Sequence, residues 1–430
     1  LLMGAASIST VTPGYTVDYS CRFNDDDSAY LQFTPTTSSA AQKKFTLSAW
    51  IKMGNLKTTA GTAIGCSDAP GNTHAYLYMA TMANNKIGSS ASGGAWSLIS
   101  NVLLRDPTAW YHQLLVYDSA EIISSERLKI FLNGELITSY STYTLPSASL
   151  ESPMNHASQP IAIGRLGAYN GDYFDGYLSQ VAQVSELALP PTDFGEFSNG
   201  VWRPIDITGL DYSGENSFLL DFADSSALGN DVSGNDNDFA SSGLDANDQV
   251  TDTPTNNHCT LSPIDKSSSV PLSDGNLVGT FTSSWYNVKT TFSLPSSGKW
   301  SFQMKGSNIL IYFGVIFGSD DYSDVDTSGT DALYYYGNGG IIATYRTGSY
   351  VQQTGLNKPT ADENVECLID MDNKEIGIVI DDTVEMGTDS GLEIQDTMTK
   401  IFIQGLNNTM TVDFGQGGYS PSQSCLLYTS

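Results

Sequence analysis

Three carboxylates in the second half of the chain have a spacing that would suit acid–base chemistry. Glu366, Asp370 and Asp372 stand four and two residues apart, so an extended strand would place all three on one face. A pair of such carboxylates can hydrolyse a glycosidic bond, one as the acid and the other as nucleophile or base. The same segment is typical of a strand hairpin with a solvated acidic edge, and we favour that interpretation. We therefore expect no catalytic residue here.

Motifs for nucleophilic catalysis and phosphate binding do not stand out in the sequence. None of the four histidines, His74, His112, His156 and His258, lies near a G-x-S-x-G or comparable signature. The run Gly337-Asn338-Gly339-Gly340 joins two predicted strands and precedes no predicted helix, which indicates a turn rather than a phosphate loop. These patterns favour a protein that is not an enzyme, although a triad assembled by the fold remains an alternative.

Calcium is the one cofactor that the sequence supports. Calcium takes about six to eight oxygen ligands from Asp, Asn and backbone carbonyls, and residues 230–238 (N-D-V-S-G-N-D-N-D) are dense in such groups. The segment lacks the register and the final Glu of an EF-hand, and its alternative is an Asx-rich turn whose side chains bond their own backbone. The candidate ligands are Asp231, Asn235, Asp236 and Asp238.

Tyrosines in the second half of the chain are the candidates for ligand contact. Exposed tyrosines stack on sugars and make mixed apolar and hydrogen-bond contacts with peptides. Side chains alternate along a strand, so at least one ring of the three consecutive tyrosines must face the core. The predicted ligand-binding residues are Tyr322, Tyr334, Tyr335, Tyr336, Tyr345 and Tyr350.

The composition limits the partners of this protein. The chain has 430 residues, enough for two or three domains, and a net charge of −28 at pH 7. Nucleic acids and anionic membranes attract basic surfaces, so we expect no nucleic-acid binding and no membrane insertion. Neither a zinc site nor a disulfide framework is indicated by the five widely spaced cysteines, Cys21, Cys66, Cys259, Cys367 and Cys425.

Short alternating runs of apolar and polar residues predict an antiparallel sheet in the first 200 residues. The turn Asn133-Gly134 separates two of these runs, and both of its residues tolerate the positive φ of a type I′ hairpin. Prolines predict a short helix or turn at Pro191 to Phe197. The predicted strands are 29–33, 45–52, 113–117, 128–132 and 135–139.

Six segments of this region resemble laminin G-like, concanavalin A-like domains. In order they are C-R-F-N-D-D-D-S-A-Y-L-Q-F, F-T-L-S-A-W-I-K, W-Y-H-Q-L-L-V-Y-D, L-K-I-F-L-N-G-E-L-I, I-A-I-G-R and F-D-G-Y-L-S-Q-V-A-Q-V. The resemblance covers residues from about 15 to 190 and implies a jelly-roll β-sandwich over residues 1–200. Trp50 and Trp110 would then be core aromatics on its strands.

A second region resembles SPRY domains. The segments that carry the resemblance are G-K-W-S-F-Q-M, I-Y-F-G-V-I-F, A-L-Y-Y-Y-G-N-G-G, V-E-C-L-I-D-M-D-N-K-E-I-G-I-V-I and V-D-F-G-Q. They imply a second antiparallel sandwich over residues 266–424. Ser301, Ile378 and Val379 stand where the family has aromatic or other typical residues, so no ligand is carried over from the family.

An acidic segment, residues 201–265, connects the two regions. It contains twelve acidic residues and one basic residue, and such a composition favours solvated turns. The apolar run Phe218 to Phe222 predicts a short strand within it. We therefore expect a crossover that is pinned to its neighbours rather than a free tether.

The whole order of domains resembles a family of virion-associated proteins of marine tailed phages. That resemblance implies a non-enzymatic adhesion or structural protein, located on the virion, homo-oligomeric there, and bound to a host-surface glycan or a neighbouring virion protein. A glycan hydrolase of concanavalin A-like fold and a secreted bacterial adhesin remain open as alternatives. Residues 425–430 resemble a translated sequencing adapter, and we expect them to be foreign to the natural protein.

Overall fold

The chain is built from β-strands and short turns. The structure, a computed structural model, describes residues 14–417 except 38–39, 57–60, 68–75, 83–84, 92–94, 169–170, 318–331, 347–348, 388 and 395–398. Within that part, the helical elements are 3-10 turns at Ala40–Gln42, Ser124–Glu126, Pro191–Asp193 and Ala246–Asp248. None of its helices is long and apolar enough to cross a membrane. The predicted all-β class is confirmed, and the chain divides into two compact units between Asn257 and His258.

The first unit contains strands β1 to β18. In chain order these span Ser20–Phe23, Tyr30–Phe33, Lys44–Met53, Gly61–Ser67, Tyr76–Met82, Lys86–Ala91, Trp96–Leu103, Trp110–Asp118, Leu128–Leu132, Glu135–Leu136, Tyr140–Thr144, Ile161–Ile163, Gly176–Ser185, Gly195–Ser198, Val201–Pro204, Phe218–Leu220, Ala240–Ser242 and Gln249–Val250. One sheet has the order β10-β9-β8-β3-β13-β1-β18, with β16 also paired to β13. A second has the order β11-β7-β6-β5-β4-β12-β2-β17, and β14 pairs with β15 in a separate hairpin.

Apolar side chains from the two large sheets form the main core of the first unit. Phe45 stacks on Tyr117 with ring centroids 5.1 Å apart, and Trp96 lies 5.2 Å from the same tyrosine ring. The other face of the first sheet is also covered, because a second apolar cluster includes Leu114, Val184 and residues of the 194–212 segment. Coverage on both faces explains why β3 is buried along nearly its whole length.

The hairpin turn predicted at Asn133-Gly134 is present between β9 and β10. Asn133 has φ 49° and Gly134 has φ 83°, the positive values that a type I′ turn requires. A side chain at Gly134 would also collide with Trp202, because an added Cβ would lie 2.6 Å from its indole ring. Two independent constraints therefore select glycine at this position.

Most of the acidic segment, as far as Asn257, is folded into the first unit. Its strand β16 pairs with β13, β17 pairs with β2, and β18 pairs with β1, so it adds strands to both large sheets. The sequence predicts a separate connecting segment over residues 201–265, whereas the first compact unit of the structure ends at Asn257. The amino-acid composition does not indicate these strands, because each has only two or three residues and lies between acidic turns.

The second unit contains strands β19 to β32. In chain order these span Leu261–Lys266, Leu272–Ser273, Val278–Phe281, Tyr286–Ser293, Lys299–Gly306, Ile311–Phe317, Ala332–Tyr336, Ile341–Arg346, Ser349–Thr354, Val365–Asp370, Glu375–Ile380, Thr383–Met386, Thr399–Gly405 and Asn408–Asp413. They form two sheets, β19-β22-β31-β24-β25-β26-β27 and β20-β21-β32-β23-β28-β29-β30, both antiparallel throughout. An apolar cluster that includes Phe302, Phe313 and Ile378 takes side chains from both. This is the second antiparallel sandwich that the sequence predicts.

Candidate functional site

A groove lies where edge strands of the first unit's two sheets come together. Strands β9 and β10 form one edge of the first sheet, and β11 is the edge strand of the second. The short link between β10 and β11 passes from one sheet to the other, and the space beside it is about 420 Å³ in volume. We call this space the edge groove. Side chains that line it include Glu126, Leu128, Lys129, Leu136, Tyr140 and Tyr143.

Two tyrosines of β11 form an aromatic pair in the edge groove. Residues three apart on a regular strand point to opposite faces, so Tyr140 and Tyr143 would normally be separated. The register between β11 and β7 shifts between Tyr140 and Thr142, and a shift of this kind reverses the alternation beyond it. The two rings consequently lie 5.1 Å apart, and Tyr143 remains 52% exposed.

The phenol of Tyr140 stays protonated through the physiological range. Burial of the ring and the neighbouring Tyr143 raise the pKa of Tyr140 to about 12. A neutral phenol can donate one hydrogen bond and accept others. The pair therefore offers an apolar ring surface together with hydroxyl groups, which is the combination that hydroxylated ligands require.

A loop with exposed apolar residues borders the edge groove. Ile122 is 91% exposed, and the residues that follow in this loop include Glu126, which lines the groove. The loop is held by Arg127, whose guanidinium donates hydrogen bonds to the carbonyls of Glu121, Ile122 and Pro146. Its apolar tip is thus fixed in place although it is exposed.

Charged groups complete the groove. Lys129 forms an ion pair with Glu126 at 3.0 Å, and both side chains are partly exposed. Exposed pairs of this kind stabilise a fold by only about 0–1 kcal/mol. Both groups can therefore exchange their mutual contact for contacts with a ligand at little cost.

The predicted ligand-binding tyrosines differ in how far they are buried. Tyr334 and Tyr335 are buried on opposite faces of β25, so these two rings belong to the core and are not ligand contacts. Tyr336 is partly buried and stacks on Tyr312 at 4.4 Å. Tyr350 is 44% exposed, and it is paired across β26 and β27 with Tyr345. Tyr322 lies outside the described residues.

The Asx-rich segment, residues 230–238, is closed by hydrogen bonds to protein groups. Oδ1 of Asp231 accepts from the backbone N–H groups of Leu219 and Ser233. Its Oδ2 accepts from the backbone N–H of Asn237 and from the hydroxyl of Ser233. The carboxylate thus acts as a hub that fixes the turn against strand β16.

Three of the predicted calcium ligands, Asp231, Asn235 and Asp238, make hydrogen bonds to protein groups. Asn235 donates through its amide nitrogen to two backbone carbonyls, and Asp238 accepts from the backbone N–H of Asp231. Asp236 is exposed. Across the part of the chain that is described, no group of three or more His, Cys, Asp or Glu side chains is arranged to hold a metal ion. Asp231, Asn235 and Asp238 thus take part in an Asx-rich turn, and calcium binding by this segment stays a prediction.

Replacing Asp231 with alanine should destabilise the first unit by about 1–2 kcal/mol, because it removes the acceptor of buried backbone N–H groups. Asp236→Ala is the matched control, and it should change stability by less than about 0.5 kcal/mol. Urea unfolding with and without added calcium measures both effects. An unfolding midpoint that rises with calcium in the wild type, but not in Asp231→Ala, would support calcium binding by this segment.

The three carboxylates with hydrolase-like spacing belong to strand β28 and to the turn that follows it. Glu366 and Asp370 are buried on β28, whereas Asp372 lies in the following turn and accepts from the backbone N–H of Gly298. Burial acts to raise the pKa of Asp370, but hydrogen bonds from Lys299 and from backbone N–H groups of the turn outweigh it and lower that pKa. Asp370 is therefore an ionised, paired group of the hairpin turn.

One serine and one histidine do meet in the first unit. The hydroxyl of Ser48 lies 2.9 Å from Nε2 of His112, and both residues are buried. The indole N–H of Trp202 donates to Nδ1 of His112 at 3.1 Å. An indole can only donate, so Nδ1 is the acceptor and Nε2 carries the proton. His112 therefore donates to Ser48 and is not placed to take a proton from it.

Comparison with known proteins agrees with this description of the first unit. Residues 25–193 match the family described as Concanavalin A-like lectin/glucanases superfamily. The first unit has a concanavalin A-like fold. A comparison with curated protein sequences found no match.

Solved structures similar to parts of the chain include SPRY domains and a pentraxin. The "TRIM65 PSpry domain" shares 12% identity over 36% of this chain and 92% of that chain, with a TM-score of 0.29. The "SPRY domain of human HERC1" shares 12% identity over 35% and 96%, also with 0.29. The "native heptameric SAP-like pentraxin from Limulus polyphemus" shares 16% identity over 40% and 78%, with 0.30. We infer no function from similarities of this size.

Proposed function

We propose that the protein is a non-enzymatic adhesion protein of a phage particle, and that the edge groove of its concanavalin A-like unit binds a host-surface glycan. The observation that carries this proposal is the aromatic pair of Tyr140, which is partly buried, and Tyr143, which is exposed. Sugar rings stack on tyrosine through their apolar faces, while their hydroxyls bond to nearby polar groups. Glu126 and Lys129 supply such polar groups in the same groove.

The carboxylate content of the groove favours binding over cleavage. Of the described residues that line it, Glu126 alone is a carboxylate. Glycoside hydrolysis by the usual route needs two carboxyl groups about 5–10 Å apart across the scissile bond. A groove of this composition is better suited to holding a glycan than to hydrolysing it.

The virion context rests on the order of the domains along the chain and on the sequence of the acidic segment. We infer that several copies of the chain are displayed on one particle. Single grooves with few contacts bind weakly, and multiple copies raise the overall avidity without any new contact. The net charge of −28 is consistent with this role, because it keeps the protein away from nucleic acids and anionic membranes.

Replacement of Tyr143 by alanine should weaken glycan binding at least tenfold, a loss of about 1.4 kcal/mol, because it removes the exposed stacking surface. A glycan array followed by titration calorimetry with the best ligand measures the effect. Tyr350→Ala is the matched control, since Tyr350 is a similarly exposed tyrosine of the second unit.

Each other outcome of this experiment would point to a different site, cofactor, activity or partner. A loss with Tyr350→Ala and none with Tyr143→Ala would transfer the site to the second unit. Binding that disappears with a calcium chelator would revive the predicted cofactor. Release of reducing sugar would favour a glycan hydrolase. An array with no binding would reject the glycan and leave a neighbouring virion protein as the partner.

A further inference from the structure

A lysine, an aspartate and an asparagine meet in the interior of the first unit. Lys52 on β3 donates hydrogen bonds to Oδ2 of Asp252 at 2.6 Å and to Oδ1 of Asn257 at 2.8 Å. The side chains of Lys52 and Asp252 are completely buried. Strand β3 is the middle strand of its sheet, whereas Asn257 is the last residue of the unit, 205 positions further along the chain.

Other contacts hold each member of this cluster in place. The indole N–H of Trp110 donates to Oδ1 of Asp252 at 3.0 Å. The amide nitrogen of Asn257 donates to the carbonyl of Thr108 at 2.7 Å. The side-chain amide of Asn257 is thus fixed through its oxygen and its nitrogen, and its carbonyl faces the nitrogen of Lys52. Asp252 touches the same lysine nitrogen.

We propose that Lys52 and Asn257 form an intramolecular isopeptide bond, with Asp252 as the catalytic proton carrier. The ammonium of Lys52 gives a proton to Asp252, and the neutral amine attacks Cγ of Asn257. A bond forms between Nζ and Cγ, and the bond between Cγ and Nδ2 breaks. A second proton passes from Nζ to Nδ2, which leaves as ammonia and takes up the proton held by Asp252. One ammonium and one primary amide become one secondary amide and one ammonium ion, and no oxidant is needed.

The burial of the cluster favours this reaction. Burial of the Lys52 and Asp252 side chains keeps water away from the reacting amine. Groups fixed in contact also react with high effective molarity compared with free reactants. The product replaces a buried ammonium by a neutral amide.

The bond would have a mechanical consequence. It would connect the end of the first unit, where the chain continues into the second, directly to the middle strand of a sheet. Force applied along the chain at Asn257 would then act on a covalent bond instead of peeling the last strands from the sheets. This proposal does not depend on which ligand the edge groove binds.

Intact mass of the folded, full-length protein under denaturing conditions tests the proposal. We expect a mass lower than that of the sequence by one ammonia. Tryptic digestion should give a branched peptide that joins the segments around Lys52 and Asn257, with no cleavage after Lys52. A full mass, with normal cleavage after Lys52, would overturn the proposal. A succinimide at Asn133-Gly134 would also lose ammonia, but it would leave Lys52 cleavable, so the digest distinguishes the two.

Variants add a second, independent readout. Asn257→Asp can form the same bond with loss of water, so its mature mass should equal that of the cross-linked wild type. Asn256→Asp is the matched control, and it should keep the loss of ammonia. Lys52→Met and Asp252→Asn should each show the full mass of their sequences. Cross-linking that persists in Asp252→Asn would remove Asp252 from the catalytic role.

Discussion

Replacing Asp252 with alanine should lower the free energy of unfolding of the first unit by about 3–5 kcal/mol, the range found when one partner of a buried ion pair is removed. Asp252 accepts hydrogen bonds from Lys52 and from the indole of Trp110, and all of its side chain is buried. Its backbone carbonyl also accepts from the hydroxyl of Ser20. The variant leaves a buried ammonium without its carboxylate and releases the end of the acidic segment from β3.

Urea unfolding followed by tryptophan fluorescence measures this loss. The comparison is made in an Asn257→Ala background, where Lys52 has no amide to attack and any covalent bond is absent from both proteins. Asp252→Asn keeps the shape of the side chain and should show a smaller loss than Asp252→Ala. A loss below about 1 kcal/mol for Asp252→Ala would mean that the ion pair does not anchor the segment.

The local parts of this fold could be predicted from the sequence. Alternating runs marked several strands of the first unit to within a few residues, because side-chain burial on a sheet has a period of two. Asn133-Gly134 identified a hairpin, because few other residue pairs accept positive φ twice in succession. These signals depend only on neighbours along the chain.

The groove and the buried clusters depend on contacts that are distant in sequence. Tyr140 and Tyr143 share a face only because of a register shift on β11, which follows from its pairing with β7. Lys52 meets Asp252 across 200 positions, and nothing near either residue indicates the other. At Tyr334 and Tyr335 the cluster of tyrosines in the sequence suggested a ligand-binding surface, but packing buries both rings. The composition gives the residue types, but the groove and the buried clusters depend on which residues are in contact in the fold.

Acidification should destabilise the first unit through His112. Burial lowers the pKa of His112 from 6.5 to about 3, so the folded state holds the imidazole neutral where the unfolded chain would bind a proton. The resulting stability is fully present above pH 6.5 and is lost as the pH falls toward 3. At about 1.36 kcal/mol per pH unit, we expect a loss of about 2 kcal/mol by about pH 5 and about 4 kcal/mol near pH 3.5. Urea unfolding at a series of pH values measures it.

His112→Gln is the control that isolates this contribution. Glutamine can still accept from Trp202 and donate to Ser48, the two partners of the imidazole, but it does not titrate. The variant should be less stable than the wild type at neutral pH, and the difference between the two should shrink as the pH falls. Carboxyl groups such as Asp172 and Asp248, whose pKa values burial raises, contribute equally to both proteins and cancel in that difference. A difference that stays constant between about pH 7 and pH 5 would contradict a neutral, buried imidazole. The neutral imidazole of His112 also matters to the edge groove. It accepts the hydrogen bond of Trp202, and the indole of Trp202 packs against the hairpin turn at Gly134. That turn connects β9 and β10, which border the groove.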